Sequence, residues 1–390
     1  MANNNKHTGP NVPALRFPEF SGEWTKIKLG DLGSFFSGGT PSSSRKDFYG
    51  GEIPFIRSGE LHSDSTALSI TKEAYDSCSA KMVNKGDLLL ALYGATSGDI
   101  SISRISGAIN QAILCIRPQY MDAYFIKSLW EKHKKHILET YLQGGQGNLS
   151  SEIIKNISFF FPHSDEQVRI SRLIHIIDDR IETQSKIIEE LTALRSALLE
   201  KVFQVSNPTL EVGAIAHQTS ERNKLCRYSN VLSVSNRFGF INQSEQFEDR
   251  NVASDDVRNY KVVHRGDFAY NPARINVGSI AMLKSFESGI VSPMYICFQV
   301  DDTIVDPSFF ELFLETKAFK DEMEIRLEGS VRRCLSFEAL CEIHMPRPAL
   351  LVQRSITDKI GNISSKIKLE DRILRAYIRQ KEWLLKQMFI

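Results

Sequence analysis

The chain contains two long stretches, residues 164–203 and 349–390, in which apolar residues recur at every third or fourth position. This spacing predicts two long helices, each with an apolar stripe of the coiled-coil type. The positions that define the stripes are Ile170, Ile177, Ile181, Ile188 and Leu198 in the first helix and Ile356, Ile363, Ile367, Leu374 and Leu384 in the second. Ser164, with Gln167 three residues later, predicts a capping box.

The two stretches are repeats of each other. A shift of 186 residues superposes matching residues, among them Pro162 on Pro348, Gln167 on Gln353 and Phe203 on Phe389. Because neither apolar stripe can stay in water, we expect the two helices to pack antiparallel as a coiled-coil pair. The alternative is that each one is an ordinary core helix of its own domain.

The region before each long helix has a different pattern. Short β-prone runs alternate with turns rich in glycine and serine, and short helical patterns follow. The β-prone runs are residues 53–57, 87–93, 113–116, 266–270 and 295–300, and the helical patterns are 121–139 and 308–318. This predicts a mixed α/β (α+β) fold with two loop-rich domains in a pseudo-two-fold repeat. The predicted segments are an N-terminal domain (1–163), the first helix (164–203), a C-terminal domain (204–348) and the second helix (349–390).

Composition and charge narrow the class of protein. The 390 residues are 42% hydrophobic and 24% charged, which is typical of a folded domain. The net charge of +1 hides a C-terminal domain at −4 and a second helix at +5. No segment is a strongly basic arm, so DNA binding would use local patches or charge from a partner. No membrane partner is expected, and without a secretory signal the expected location is the cytoplasm.

Recognisable catalytic and metal-binding motifs are missing from the sequence. There is no phosphate-binding loop of the Walker A type, and the six cysteines form no CxxC pair. Residues 35–39 are similar to a methyltransferase cofactor loop but lack its spaced glycines. Residues 271–274 are similar to the pocket for a flipped adenine but lack the aromatic that stacks on the base. We therefore expect no catalytic residue, no metal site and a role in binding or scaffolding.

Several segments together carry a resemblance to a known family. They are residues 12–18, 22–24, 28–32, 51–61, 85–89, 166–167 and 271–278. The chain resembles a type I restriction–modification specificity subunit, and the domain–helix–domain–helix order extends the resemblance over its whole length. The second half lacks counterparts of residues 15–18 and 56–61, so the two domains are expected to read different sequences.

The resemblance implies a non-catalytic subunit that reads a bipartite double-stranded DNA target, one half with each target-recognition domain. The paired helices would act as a spacer of about 60 Å, which limits the half-site separation to about 18 base pairs. Two modification (methyltransferase) subunits would dock on the helices and bring S-adenosylmethionine. Restriction subunits would add ATP- and Mg-dependent translocation and cleavage. No cofactor is expected in this chain itself.

DNA contacts need side chains that reach base edges or phosphates from loops. The candidates in the first domain are Arg57, Ser58, Tyr93, Thr96, Ser97, Gln146 and Asn148, and those in the second are Arg237, Asn271, Arg274, Asn276, Arg332 and Arg333. Arg332 and Arg333 are the strongest phosphate candidates, because two adjacent arginines stand out in an acidic domain. Asn271 and Asn276 are also typical turn residues.

Two other functions compete with this interpretation. A non-sequence-specific assembly scaffold predicts a complex that binds DNA without sequence preference. A stand-alone adenine DNA methyltransferase predicts that the purified chain binds S-adenosylmethionine, which the broken motifs argue against.

Overall fold

The computed structural model describes residues 11–141, 148–204, 209–243, 256–329 and 333–390. The chain divides into two compact units, unit 1 (Met1–Lys186 with Arg372–Ile390) and unit 2 (Ile187–Asp371). Both are mixed α/β, as the sequence predicts. Each unit includes part of both long helices, and the four-segment division drawn from the sequence stays a prediction.

Unit 1 contains two four-stranded sheets and a two-stranded ladder. Its described strands are β1 (Thr25–Lys28), β2 (Gly33–Ser37), β3 (Tyr49–Ile56), β4 (Ser69–Ile70), β5 (Lys81–Val83), β6 (Leu88–Ala91), β7 (Ile100–Ile102), β8 (Gly107–Ile109), β9 (Ile113–Pro118) and β10 (Ser158–Phe161). The sheet orders are β2-β9-β6-β7 and β4-β3-β8-β5, and β1 pairs with β10. The short described helices are α1 (Lys72–Asp76), α2 (Ala123–Tyr141) and α3 (Ser151–Asn156).

Unit 2 repeats the first of these sheets. Its described strands are β11 (Thr209–Glu211), β12 (Ala216–Thr219), β13 (Leu232–Ser235), β14 (Gly239–Asn242), β15 (Lys261–His264), β16 (Phe268–Tyr270), β17 (Ile280–Met282), β18 (Ser288–Val291), β19 (Ile296–Val300) and β20 (His344–Pro346). The order β12-β19-β16-β17 matches β2-β9-β6-β7, and the other strands pair as β11-β20, β13-β14 and β15-β18. The short described helices are α5 (Pro307–Glu315), α6 (Lys317–Arg326) and α7 (Phe337–Cys341).

The inner strands β6 and β16 are buried on both faces. In β6, Leu88 and Leu90 lie in one hydrophobic core, whereas Leu89 and Ala91 lie in another. Successive side chains of a strand point to opposite faces, so a continuous apolar run fits this position. In β16 the same alternation puts Phe268 and Tyr270 in one core and Ala269 in a second.

The long helices are α4 (Ser164–Gln204) and α8 (Leu350–Met388), within two residues of the predicted bounds. In unit 1, Asp178 pairs with Lys381 at 2.7 Å, and the Arg180 guanidinium lies 5.8 Å from the ring centre of Tyr377. Residue numbers rise along α4 while the numbers of the contacted residues fall along α8, so the two segments run antiparallel. The coiled-coil packing itself stays a prediction.

The apolar stripes are buried unevenly. Ile170, Ile177 and Leu384 are buried, and the other predicted stripe positions except one are half-buried, namely Ile181, Ile188, Ile356, Ile363, Ile367 and Leu374. The exception is Leu198, which is 36% exposed while its neighbour Leu199 is 4% exposed. A helix of 3.6 residues per turn drifts away from a strict seven-residue repeat, and here the drift turns Leu199 toward the core of unit 2.

The start of α4 differs from the predicted capping box. The backbone N–H groups of Glu166 and Gln167 donate to the carbonyl of His163, so His163 is the N-cap and Ser164 is the first helical residue. The Gln167 amide instead donates to the carbonyl of Pro162 at 2.9 Å. The capping-box prediction was wrong because His163 takes the N-cap position and the buried Gln167 side chain contacts Pro162 and Asp122 instead.

The repeat of the sequence is a repeat of contacts. At the start of α8, Gln353 donates to the carbonyl of Pro348 at 2.8 Å and accepts the N–H of Asp306 at 2.9 Å. Gln167 likewise accepts the N–H of Asp122 at 3.3 Å. Each glutamine thereby joins a long helix to the helix-capping aspartate of the domain before it.

Two absences hold for the residues that the structure describes. No helix among them combines the length and the apolar character needed to cross a bilayer. Nor do they bring together three or more histidine, cysteine or acidic side chains that could hold a metal ion.

Candidate nucleic-acid interface

One loop has the equivalent position in both repeated sheets. The first hairpin loop (residues 92–99) joins β6 to β7, and the second hairpin loop (residues 271–279) joins β16 to β17. Hydrogen bonds close each loop at its base, from Gly98 N–H to the Ala91 carbonyl at 2.9 Å and from Asn271 N–H to the Ser279 carbonyl at 3.1 Å. Loops on a rigid sheet are typical places for recognition residues.

A second segment meets each hairpin loop. The N–H of Leu149 donates to the carbonyl of Leu92 at 2.8 Å, and the N–H of Leu335 donates to that of Pro272 at 3.1 Å. Leu149 directly follows the candidate Asn148, and Leu335 lies two residues after the candidate Arg333. Of the candidates in these two segments, Asn148 and Arg333 are described and exposed, whereas Gln146 and Arg332 lie outside the described residues. The structure therefore brings two candidate segments together in each unit.

The candidates of the first hairpin loop differ in burial and in hydrogen bonding. The Ser97 hydroxyl donates to the Leu92 carbonyl at 3.1 Å and so holds the turn. The Thr96 carbonyl accepts the N–H of Asp99 at 2.9 Å, and the residue is half-buried. Tyr93 is half-buried against the hydrophobic core of unit 1. Ser97 is thus a structural turn residue.

Arg57 and Ser58 lie at the end of β3. The Arg57 guanidinium donates to both carboxylate oxygens of Glu60, at 3.1 and 3.2 Å. These hydrogen bonds raise the pKa of Arg57 above its ordinary value. Ser58 is half-buried in the short turn that follows. A base contact by Arg57 therefore requires its guanidinium to leave Glu60.

The second hairpin loop contains three candidates with two different roles. The Asn271 amide oxygen accepts the N–H of Ala273 at 3.1 Å, which makes Asn271 a turn residue. Arg274 and Asn276 are exposed on either side of Ile275. Ile275 is buried in the core of unit 2 and anchors the turn between them. Arg274 and Asn276 are thus surface side chains on a fixed backbone.

Arg237 lies at the tip of the β13–β14 hairpin. The Ser235 hydroxyl oxygen accepts the N–H groups of Arg237 and Phe238 at 3.3 and 3.4 Å. The hairpin also contacts the second hairpin loop, because the Ser279 hydroxyl donates to the Val234 carbonyl at 3.0 Å. Arg237 therefore belongs to the same surface region as the second hairpin loop.

Arg333 is held by a neighbouring helix. Its guanidinium forms an ion pair with the Glu324 carboxylate and donates to the Glu324 carbonyl at 2.9 Å. Both groups belong to the C-terminal part of α6. A phosphate contact by Arg333 competes with this carboxylate, so Arg333 is a weaker phosphate candidate than the sequence indicates.

A cationic groove in unit 2 was missed by the sequence analysis. It has a volume of about 870 Å³ and includes five cations, Arg195, Arg237, Lys284, Lys320 and Lys368. Two of these are paired, Arg195 with Glu315 and Lys284 with Glu311. The cations come from separate elements, so no motif in the sequence marks them. Only the folded unit collects them in one place.

The opening segment of the chain (residues 12–18) has a structural role. The Arg16 guanidinium donates to both carboxylate oxygens of Glu166, at 2.7 and 2.6 Å. Their side chains are only 3% and 1% exposed. Arg16 also donates to the carbonyls of Ser21 and Gly22, at 3.0 and 2.5 Å. The opening segment therefore fixes the start of α4 and does not form part of the candidate interface.

A cluster of four charges joins three helices of unit 1. Asp178 on α4 pairs with Lys127 on α2 at 3.0 Å and with Lys381 on α8 at 2.7 Å. Glu131 on α2 completes the cluster, at 2.7 Å from Lys381. Burial opposes ionisation of Asp178, but the two lysines outweigh it and hold its pKa below the ordinary value. We call these residues the helix-junction cluster.

Large apolar side chains remain exposed on the long helices. In unit 1 they include Ile176 on α4 with Ile378 and Trp383 on α8, and Trp383 is 54% exposed. In unit 2 they include Leu194 on α4 and Leu369 on α8. Exposed apolar surface on a helix is a usual mark of a protein–protein contact.

Comparison with known proteins gives matches to one family. Residues 21–193 match the family model of the type I restriction modification DNA specificity domain. The type I restriction enzyme MjaVIII specificity subunit of Methanocaldococcus jannaschii is 24% identical over 91% of this chain and 89% of that protein. The MjaIX specificity subunit of the same organism is 27% identical over 46% of this chain. In that second case the chain spans only 44% of the relative's length.

A solved structure shares the fold. The type I restriction–modification S subunit from M. genitalium superposes with a TM-score of 0.61 at 15% identity, covering 97% of this chain and 99% of the other. At this identity the match concerns the fold alone, and it extends over both units. The chain therefore contains a match to the specificity-domain family in its first half and is similar to type I restriction–modification specificity subunits over both units.

Proposed function

We propose that this chain is the DNA sequence-specificity subunit of a type I restriction–modification complex. Unit 1 reads one half of a bipartite double-stranded target, and unit 2 reads the other half. The chain itself performs no catalytic step. It determines the DNA sequence at which the partner subunits act.

The observation that carries this proposal is the repeated loop framework. The hairpin loops of the two units start from equivalent strands and accept equivalent backbone hydrogen bonds, from Leu149 and Leu335. Their side chains differ, because unit 2 exposes Arg274 and Asn276, whereas the loop of unit 1 contains Gly94, Thr96 and Ser97. One framework with two sets of side chains suits a protein that reads two different half-sites.

The long helices suit subunit assembly. Exposed apolar side chains lie on both helices in both units, including Ile176 and Trp383 in unit 1 and Leu194 and Leu369 in unit 2. We propose that two modification subunits cover these faces with helices of their own, and that restriction subunits join the resulting complex. A partner helix that packs on such a stripe removes its apolar area from water.

The proposal assigns the cofactors to the partners. S-adenosylmethionine belongs to the modification subunits, and ATP and Mg belong to the restriction subunits. We therefore expect equilibrium dialysis of the purified chain to give no retention of S-adenosylmethionine, and the assembled complex to retain it.

The direct experiment is methylation of a randomised duplex DNA library by the chain co-purified with a type I modification subunit. Sequencing of the modified strands is expected to give methylated adenines within a split motif of fixed gap. Stable assembly with sequence-independent DNA binding would instead support a scaffold. Retention of S-adenosylmethionine by the chain alone would favour a stand-alone methyltransferase.

A further inference from the structure

An aromatic side chain projects from the β13–β14 hairpin of unit 2. Phe238 is 68% exposed, whereas Val234 and Phe240 on the adjoining strands are buried. Hairpin turns normally carry small or polar residues, because nothing there removes an apolar ring from water. Phe238 does not contribute to the core of unit 2, so its ring is available to a ligand.

The tip that presents this ring is held rigidly. The Ser235 hydroxyl oxygen binds the N–H groups of the turn, and Gly239 ends the turn with a φ of +66°. Gly278 of the second hairpin loop packs against Asn236, where a Cβ on the glycine would lie 3.3 Å from the Asn236 Cβ. A preorganised tip loses little conformational entropy when it binds.

The surroundings of Phe238 favour nucleic acid over protein as the ligand. The Arg237 guanidinium lies 5.2 Å from the centre of the phenyl ring. Arg274 and Asn276 are exposed on the second hairpin loop, which contacts the same hairpin. Guanidinium groups neutralise phosphates, amides pair with base edges, and apolar rings contact thymine methyl groups or enter between bases.

We propose that Phe238 contacts bases in the half-site read by unit 2, with Arg237 placed to neutralise the flanking phosphate. The proposal rests on the function proposed above and names a specificity-determining residue for it. The tip enters a DNA groove, and the phenyl ring packs against one or two adjacent base pairs. Since Phe238 belongs to unit 2, its influence is confined to one half of the bipartite motif.

The test uses the complex of the full chain with a modification subunit, made with wild-type chain, F238A and F238Y. A randomised duplex library is methylated and sequenced for each complex. We expect F238A to lower methylation of the wild-type motif about tenfold and to relax one or two adjacent positions in one half-site. The other half-site and the gap stay unchanged, and F238Y, which keeps the ring, retains the wild-type motif.

A matched control is Tyr120→Ala, which also removes an exposed aromatic side chain (85% exposed). Tyr120 lies in unit 1 outside the long helices and follows the end of β9 that is away from the first hairpin loop, and we expect this variant to leave the motif unchanged. An F238A motif identical to wild type, or a uniform loss over all sequences, overturns the proposal. Loss of co-purification with the modification subunit also overturns it, because the ring would then be a protein contact.

The two proposals fail in distinguishable ways. A wild-type complex that methylates without any split motif contradicts the proposed function, and the assignment of Phe238 falls with it. A clear split motif for the wild type, unaltered in F238A, contradicts only the assignment of Phe238.

Discussion

Arg16 and Glu166 lie outside the candidate interface and form a deeply buried ion pair, with side chains that are 3% and 1% exposed. Arg16→Ala leaves the Glu166 carboxylate buried without its partner, which we expect to lower the free energy of unfolding by about 3–5 kcal/mol. Urea denaturation followed by circular dichroism measures this change. Arg45→Ala, which breaks an ion pair whose side chains are 50% and 59% exposed, serves as the control. Equal urea midpoints for the two variants would refute the structural role of Arg16.

Asn271 and Asn276 lie in the same loop but have different roles. Asn271 holds the turn, whereas Asn276 is exposed at the surface. Asn271→Ala removes the acceptor for the Ala273 N–H, so we expect a loss of about 1 kcal/mol in unfolding free energy. Asn276→Ala is expected to leave the unfolding midpoint unchanged. It is expected to weaken binding of the assembled complex to DNA that contains the motif it methylates. The measurements are thermal unfolding and DNA titration. The account of this loop fails if the two variants exchange these effects.

The sequence identified candidate polar side chains but could not tell bound ones from free ones. Arg57 and Arg333 are occupied by Glu60 and Glu324, and the second of these partners is nine residues away on another element. Phe238 escaped notice for a different reason. A search for base-reading groups looks for polar side chains, and only the fold reveals that this apolar one is exposed.

At the scale of elements, the helix-junction cluster links the stability of unit 1 to pH. The folded-state pKa of Asp178 lies below its unfolded value, so its contribution to stability is complete above about pH 4. That contribution is lost as the pH falls through the folded-state pKa. Asp178→Asn removes it at every pH, so the difference in urea midpoint between wild type and variant should shrink below pH 4.

Asp179→Asn is the control for this prediction, since the neighbouring side chain is 62% exposed and lies outside the cluster. We expect its urea midpoint to follow that of the wild type from pH 7 to pH 3. A difference between wild type and Asp178→Asn that stays constant over this range would show that the cluster is not titrating.

The exposed apolar side chains of α4 and α8 lead to a separate prediction about assembly with the modification subunit. Trp383→Glu replaces an exposed apolar side chain of α8 by a charged one, so we expect loss of co-purification with the modification subunit. Thermal unfolding of the free chain should not change, because Trp383 is 54% exposed. Tyr120→Glu, at an 85% exposed aromatic outside the helices, should assemble normally. Assembly of the Trp383 variant at wild-type yield would move the docking surface elsewhere.

Elements could be predicted from the sequence where a period was long. The bounds of α4 and α8 agree with the predicted ones within two residues, because some forty positions carry the signal. The burial of Leu199 in place of Leu198 and the tertiary contact of Gln167 could not be predicted. Both depend on which domain surface meets the helix, and that information is not local to the helix sequence.

At the scale of the molecule, duplication explains what the two units share and where they differ. Both retain the sheet order, the hairpin loop and the buried glutamine at the start of a long helix. Beside this common sheet, unit 1 has the second four-stranded sheet and unit 2 has the β13–β14 and β15–β18 ladders. The sequence repeat predicted the common part, whereas the divergent strands gave no repeat to detect. The shared parts maintain the fold, and the differing parts are free to change the target.

The central claim is that each unit reads its own half of one split target. The measurement that tests it most directly is sequencing of a randomised duplex library methylated by the wild-type complex and by a complex with Arg274→Ala and Asn276→Ala. The account predicts a split motif of fixed gap for the wild type. In the variant, one half of that motif relaxes while the other half and the gap stay the same. Relaxation of both halves together, or methylation without a split motif, would contradict it.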